Sequence, residues 1–328
     1  MTAPLAVVTG ASGFVGSHIV DELLRRGARV RCLVRPTSPR QWLEGKPVEL
    51  WIGDVRSPGG LAGAVQGATW IVHAAGLTKA RSAAEFHEAN VAGTERMLRA
   101  AIEGAPGLAR FVLISSQAAA GPSRDGRPVT EDHRPAPVSP YGSSKLRAEE
   151  LTMLLRDRLP VVSIRPPTVY GPRDHAVLRA FRAAKLHVRP ELRRAGRFSM
   201  VHAEDLSRAV WLALTHERAP GEVFFVAGPD VTDYAELGVS VAEAMGTWTV
   251  TVRPPRWALL VGALLGEAVA AIARRPAFLS RDKLREITSG DWICSSARIR
   301  SRLGWESEVP LSEGIARAAR WYREAGWI

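Results

Sequence analysis

From residue 5 onward, short apolar runs rich in Val and Ile alternate with longer segments of helical period, the pattern of a parallel sheet covered on both faces. The runs predict strands over Leu5–Thr9, Arg29–Val34, Val48–Ile52, Trp70–His73, Arg110–Ser115, Val161–Arg165 and Val223–Ala227. Between the first six, helices are expected to start near Phe14, Pro58, Ser82 and Pro140. After Arg165 the rhythm changes. Residues 166–201 are rich in Arg and Pro, Glu204–Thr215 reads as a helix, and the chain beyond Pro229 is mostly helical. No internal repeat or low-complexity tract interrupts the pattern.

One long apolar stretch, Trp257 to Ala273, carries a single charge at Glu267 and falls short of the roughly 20 residues a spanning helix needs. The first expectation is a buried or interface helix. Peripheral membrane contact through 257–273 is the second, because Arg256, Arg274 and Arg275 flank it. Gly262 and Gly266 form a pair that would suit a close helix contact.

The 328 residues are 46% hydrophobic and 23% charged, enough to bury a large core in about two domains and incompatible with a disordered or collagen-like chain. Two cysteines, Cys32 and Cys294, cannot make a disulfide framework, and the chain starts Met-Thr-Ala-Pro-Leu without a cleavable leader. A cytoplasmic setting is the expectation. Net charge is +11, but only 5 of the 44 basic residues are Lys and no basic run appears, which reads as compositional bias. No nucleic-acid partner is expected.

Directly after the first predicted strand comes Thr9-Gly10-Ala11-Ser12-Gly13-Phe14-Val15-Gly16, opening onto a helical segment. A dinucleotide pyrophosphate needs backbone N–H groups at a helix N-terminus and no side chain in the way, which glycine provides. Strand before and helix after give this loop its weight. Gly10, Ser12, Gly13, Phe14, Val15 and Gly16 are therefore candidate cofactor residues in a doubly wound Rossmann fold of the α/β class. The second strand ends Cys32-Leu33-Val34-Arg35, without the acid that would bind a ribose 2′-hydroxyl. Arg35 could pair with a 2′-phosphate, so NADP is expected over NAD; the alternative is a solvated surface Arg. Asp54 and Val55, after the third strand, are candidates for the adenine edge, unless Asp54 caps the helix near Pro58.

Tyr141-Gly142-Ser143-Ser144-Lys145 puts a phenol and an ammonium four residues apart, on one helix face. A free phenol titrates near 10, too high for an efficient base at neutrality, and a neighbouring cation lowers that value. Lys145 is thus expected to tune Tyr141 as acid or base for a carbinol proton. Ser116, at the end of the fifth strand, could hold the substrate oxygen; ordinary strand-end serines satisfy backbone groups instead. No metal is called for.

Together these motifs make the chain resemble an extended short-chain dehydrogenase/reductase of the NAD(P)-dependent epimerase/dehydratase superfamily, over nearly its whole length. TGASGFVG (9–16) resembles the family's cofactor loop, His73-Ala74-Ala75-Gly76 the segment after strand four, and Asn90 the polar residue of the next long helix. Ser116, Tyr141 and Lys145 resemble the catalytic triad, and Arg165 to Pro172 the segment along the nicotinamide. Val201-His202-Ala203-Glu204-Asp205-Leu206 resembles the return helix, and Leu303-Gly304-Trp305 the tail motif. The resemblance adds Ala74, Ala75, Gly76, Pro166, Thr168 and Val169 to the cofactor contacts. It implies a dinucleotide-binding domain over 1–165, with 202–228 returning to it, and a smaller, mostly helical substrate-binding domain over 166–201 and 229–328. A homodimer is a further implication.

Departures narrow the chemistry. Dehydratases of the superfamily carry Asp-Glu after the catalytic hydroxyl residue; here Gln117 and Ala118 follow. Sugar epimerases usually place an Arg four residues before the return-motif His, where this chain has Phe198, with Arg197 one step earlier and Arg173 and Arg193 nearby. The likeness is greatest to the branch of 3β-hydroxysteroid dehydrogenases and dihydroflavonol 4-reductases. It implies an NADP-dependent oxidoreductase acting on a ketone or secondary alcohol of a hydrophobic, alicyclic or lipid-like small molecule. A nucleotide-sugar epimerase with tightly bound cofactor is the alternative.

Overall fold

The computed structural model describes residues 3–57, 59–192, 196–273 and 281–328. Pro58, Arg193, Arg274 and Arg275, named above, lie outside the described residues.

Seven strands form one fully parallel sheet: β1 (Leu5–Thr9), β2 (Arg29–Val34), β3 (Val48–Ile52), β4 (Trp70–His73), β5 (Arg110–Ile114), β6 (Val161–Arg165) and, further along the chain, the strand Val223–Phe225. Their order runs from Val223–Phe225 through β6, β5, β4, β1 and β2 to β3. All seven predicted strands are present, two of them slightly shorter. β1, β4, β5 and β6 are buried along their whole length, as expected for strands with helices on both faces. One core joins the Phe14–Arg25 and Ala203–Thr215 helices to one face. A second joins the Leu61–Val65 and Gly93–Gly104 helices to the other. The helix expected near Pro58 begins at Leu61, behind Gly60 in the left-handed region (φ 83°).

Beyond β6 the chain builds smaller sheets that periodicity did not reveal. β7 (Thr168–Tyr170) runs parallel to β9 (Phe198–His202), which also pairs antiparallel with β11 (Val231–Thr232); β8 (Val188–Pro190) pairs with β12 (Val250–Val252), so Val223–Phe225 is β10. Around them pack the helices Leu178–Lys185, Tyr234–Met245 and Leu311–Glu324, whose shared core centres on Tyr170, Phe181 and Tyr322.

The apolar helix, Arg256–Ile272, departs from the buried half of its first expectation. It is not buried: Trp257, Leu264, Leu265, Val269 and Ile272 are exposed, and so is Gly262 of the proposed close-contact pair. Its main packing partner is the short Arg281–Ile287 helix, which covers only one side of it. Cys32 and Cys294 are both buried as free thiols.

Candidate active site

Most candidate residues fall just beyond the carboxyl end of a strand of the seven-stranded sheet or on a helix that follows one, the edge where such sheets bind ligands. The glycine loop lies at the middle of the sheet, since β1 sits between β4 and β2. Gly10 adopts φ 69°, and a Cβ there would stand 2.8 Å from the Ala74 carbonyl and the Ala75 nitrogen. A Cβ at Gly16 would stand 2.1 Å from the Gly10 oxygen. These positions admit only glycine, which lets β1, the loop and the first helical turn fold onto the chain after β4. Ser12 is half-buried in the turn. Gly13 is the N-cap residue of the Phe14–Arg25 helix, whose first turn has no side-chain cap and no acid. The positive end of the helix is thus left for an anion, with Phe14, Val15 and Gly16 supplying its first N–H groups. This cradle fits a dinucleotide pyrophosphate.

A buried hydrogen-bond chain fixes that edge. Ala75 N–H donates to Thr9 Oγ1 (3.0 Å), Thr9 donates to His73 Nδ1 (2.8 Å), His73 Nε2–H donates to Thr94 Oγ1 (3.1 Å), and Thr94 donates to the Asn90 carbonyl (2.6 Å). The tautomer follows from Thr94 having only one proton to give. Burial, with Lys145 acting the same way, holds the His73 imidazole neutral, down to about 3. Asn90 lies in a π-helical turn, His87–Ala92, that turns its side chain inward; such turns recur at functional sites. Its amide accepts from Leu77 N–H (2.7 Å) and donates to Ser144 Oγ (2.9 Å), joining the chain near Gly76 to the helix that carries Tyr141.

Tyr141 and Lys145 sit in the Pro140–Met153 helix, which Ser139 caps by accepting the Gly142 N–H (3.1 Å) with Pro140 at the first position. Ser116 does two things: its Oγ accepts the Ala118 N–H (3.1 Å), capping a short helix, and its hydroxyl acts on the Tyr141 phenol, favouring the ionised form. Lys145 is buried, and its Nζ donates to the Ile114 carbonyl (2.6 Å) at the end of β5. Glu149, one turn on, accepts from Ser163 Oγ (2.7 Å) and pairs with buried Arg165.

The electrostatics differ from expectation. Burial pushes the Tyr141 phenol up to about 12; the Ser116 hydroxyl pulls it back, and the Glu286 carboxylate pushes it further up. Lys145 is not what lowers it. The ammonium is turned toward the Ile114 carbonyl, and burial brings it down to about 8 against the pull of Glu149. Phe86 packs against the Tyr141 ring, with centroids 5.8 Å apart. Phe86 and Glu286 had no signal in the sequence, because the fold alone brings them to Tyr141.

At the adenosine end, Arg35 is exposed at the tip of β2, where its N–H donates to Ser38 Oγ (3.2 Å). Asp54 does not cap the following helix; its carboxylate accepts from the Arg56 guanidinium (2.7 Å) and backbone N–H (2.9 Å). Val55 is buried against Gly93. Beyond β6, the buried Pro166 accepts the Gln117 N–H (2.8 Å), while Thr168 is exposed and Val169 half-buried on β7. Two of the arginines considered for a sugar diphosphate are engaged elsewhere. Arg197 pairs with Asp291 (2.8 Å), and Arg173 pairs with Asp21 (2.8 Å), donates to Ser17 (3.1 Å) and lies over the Trp42 ring. Phe198, in β9, packs against the Tyr234 ring, with centroids 5.0 Å apart.

The chain belongs to the NAD dependent epimerase/dehydratase family, whose profile matches residues 6–227, and it is an NAD(P)-dependent enzyme of the extended short-chain dehydrogenase/reductase type. Among particular relatives, it is 33% identical to a ceramide reductase of Caulobacter vibrioides, over 99% of this chain and 96% of that one. It is 31% identical to a 4-hydroxy-2-methyl-3-oxo-4-farnesyl-3,4-dihydroquinoline-1-oxide ketoreductase of Stigmatella aurantiaca, over 94% and 93%. Its structure superposes on that of MoeE5 in complex with UDP-glucose and NAD with a TM-score of 0.79, at 25% identity and covering 98% and 99%.

Proposed function

We propose that this protein is an NADP-dependent reductase of a ketone borne on a largely hydrocarbon, lipid-like molecule, with Tyr141 as proton donor. The observation that carries the reading is the Tyr141–Ser116 hydroxyl pair beside buried Lys145, at the same sheet edge as the glycine cradle. Gly10, Ser12, Gly13, Phe14, Val15 and Gly16 would hold the pyrophosphate, Asp54 and Val55 the adenosine, Arg35 the 2′-phosphate, and Ala74, Ala75, Gly76, Pro166, Thr168 and Val169 the nicotinamide half. When bound, the nicotinamide supplies the hydride. The Ser116 hydroxyl orients the substrate oxygen. Tyr141, with its phenol near 12, is protonated throughout the physiological range and gives its proton to the nascent alkoxide. Lys145, cationic below about 8, would bind the nicotinamide ribose. A high phenol value favours this reducing direction over alcohol oxidation, which would start from phenolate. Residues 1–165 and 202–228 would form the cofactor part, and 166–201 and 229–328 the substrate part.

The ceramide reductase and the ketoreductase named for a farnesyl-bearing dihydroquinoline support an apolar ketone. Gln117 and Ala118 in place of an acid pair, and the engagement of Arg173 and Arg197 elsewhere, weigh against nucleotide-sugar chemistry. The likeness to MoeE5, solved with UDP-glucose and NAD, favours nucleotide-sugar chemistry as the second reading. NADPH consumption should be followed with long-chain, steroid and flavonoid ketones, beside incubation with UDP-sugars in the absence of added cofactor. Oxidation of NADPH by an apolar ketone is expected; epimer formation without NADPH consumption would refute the reductase reading. Arg35→Asp should weaken NADPH binding by about tenfold or more and leave NADH binding little changed, as read by fluorescence titration.

A further inference from the structure

The Arg256–Ile272 helix, 17 residues and about 26 Å long, carries an apolar stripe that none of the described residues covers. Trp257 (68% exposed), Val261, Leu264, Leu265 (62%), Val269 (65%) and Ile272 (87%) recur at the spacing of one helix face. On its other side the helix is fastened to Arg281–Ile287: Glu267 accepts the Arg281 backbone N–H (2.8 Å) and guanidinium (2.9 Å). A second apolar face lies just upstream. In the β8–β12 ribbon, Val188 pairs with Val250 and Pro190 with Val252, all four exposed on one side, while Arg189 bonds Thr251 (2.7 Å) on the other. Arg253, Pro254 and Pro255 join ribbon to helix and span at most about 14 Å.

We propose that this helix and ribbon dock the enzyme in the plane of an anionic lipid surface, at the boundary between headgroups and acyl chains. The helix does not cross a bilayer: no helix among the described residues is long and apolar enough. The stripe consists of aliphatic side chains ending in a Trp, without the exposed polar groups that would fix register against a protein partner. Lipid has no register to fix. The sequence sets Arg256 before the stripe and Arg274 and Arg275 after it, in a chain of net charge +11, which complements phosphate headgroups. The docking element also adjoins the site. Its second helix carries Glu286, which acts electrostatically on both Tyr141 and Tyr234. This deepens the reading of the substrate as a lipid-like ketone, since such a molecule could pass from the bilayer to Tyr141 without crossing water.

Flotation of the full chain with phosphatidylcholine vesicles, with and without phosphatidylglycerol, tests the proposal. The parent should float with the phosphatidylglycerol vesicles. Leu265→Glu combined with Val269→Glu should lower the partition coefficient about a hundredfold or more and leave NADPH binding unchanged. The proposal is overturned if the parent stays with the soluble fraction, if the double variant floats equally well, or if the parent is a dimer that the double variant splits, which would make a second copy the cover of this face. Flotation reads out whether or not any ketone is reduced, so failure of docking and failure of the reductase reading are separate results.

Discussion

Acidification should unfold this protein over a narrow pH range, because three histidines are buried neutral in its framework. His73 is fully enclosed between Thr9 and Thr94, and burial lowers it to about 3. His18, whose ring bonds the Pro172 carbonyl (2.8 Å), is lowered to about 4 chiefly by burial. His202, in β9, is lowered to about 4 by burial and then by Arg317. An unfolded histidine takes its proton near 6.5. Folded-state values lie below that, so stability is full above about 6.5 and is lost as pH falls toward 4, where the folded state begins to bind the same protons. Between pH 6 and 5 the unfolded chain holds about two and a half more protons than the folded one. That difference gives a slope of about 3.5 kcal/mol per pH unit, against a total stability of roughly 5–15 kcal/mol. Urea unfolding at pH 7, 6 and 5, followed by tryptophan fluorescence, measures the slope. Unfolding free energies flat within about 1 kcal/mol from pH 7 to 5 would refute the burial of these imidazoles as neutral groups.

Ketone reduction should fall as pH rises through about 8, because Lys145 loses its ammonium there; Lys145→Met should be slow at every pH and show no such step in a kcat profile. Gly16→Ala places a Cβ 2.1 Å from the Gly10 oxygen and so must open the loop. NADPH affinity in that variant should drop about tenfold or more by titration, with the far-UV circular dichroism unchanged.

The central sheet was legible because each strand is a short β-branched run with turn residues at its ends, and a fully buried parallel strand carries no competing polar pattern. β7, β8, β9, β11 and β12 were not: they are two to five residues long, lie among Arg and Pro, and are held by partners far away in the chain, as Val250 is by Val188. Periodicity identified the Arg256–Ile272 helix but reports apolar content rather than coverage, so its exposure came as a correction. In the site, Ser116 and Tyr141 come together because both follow β5. Spacing could not show where Lys145 Nζ turns. Four residues along a helix bring two side chains to one face, but the nearby Ile114 carbonyl claims the ammonium. The role of Asp54 was likewise decided by a neighbour, Arg56, two residues on.

Turnover of Tyr141→Phe with NADPH and the most active apolar ketone addresses proton donation by the phenol directly. The rate of reduction should drop about 10²- to 10⁴-fold while NADPH binds as tightly as to the parent. Reduction as fast as the parent's would contradict Tyr141 as the proton donor.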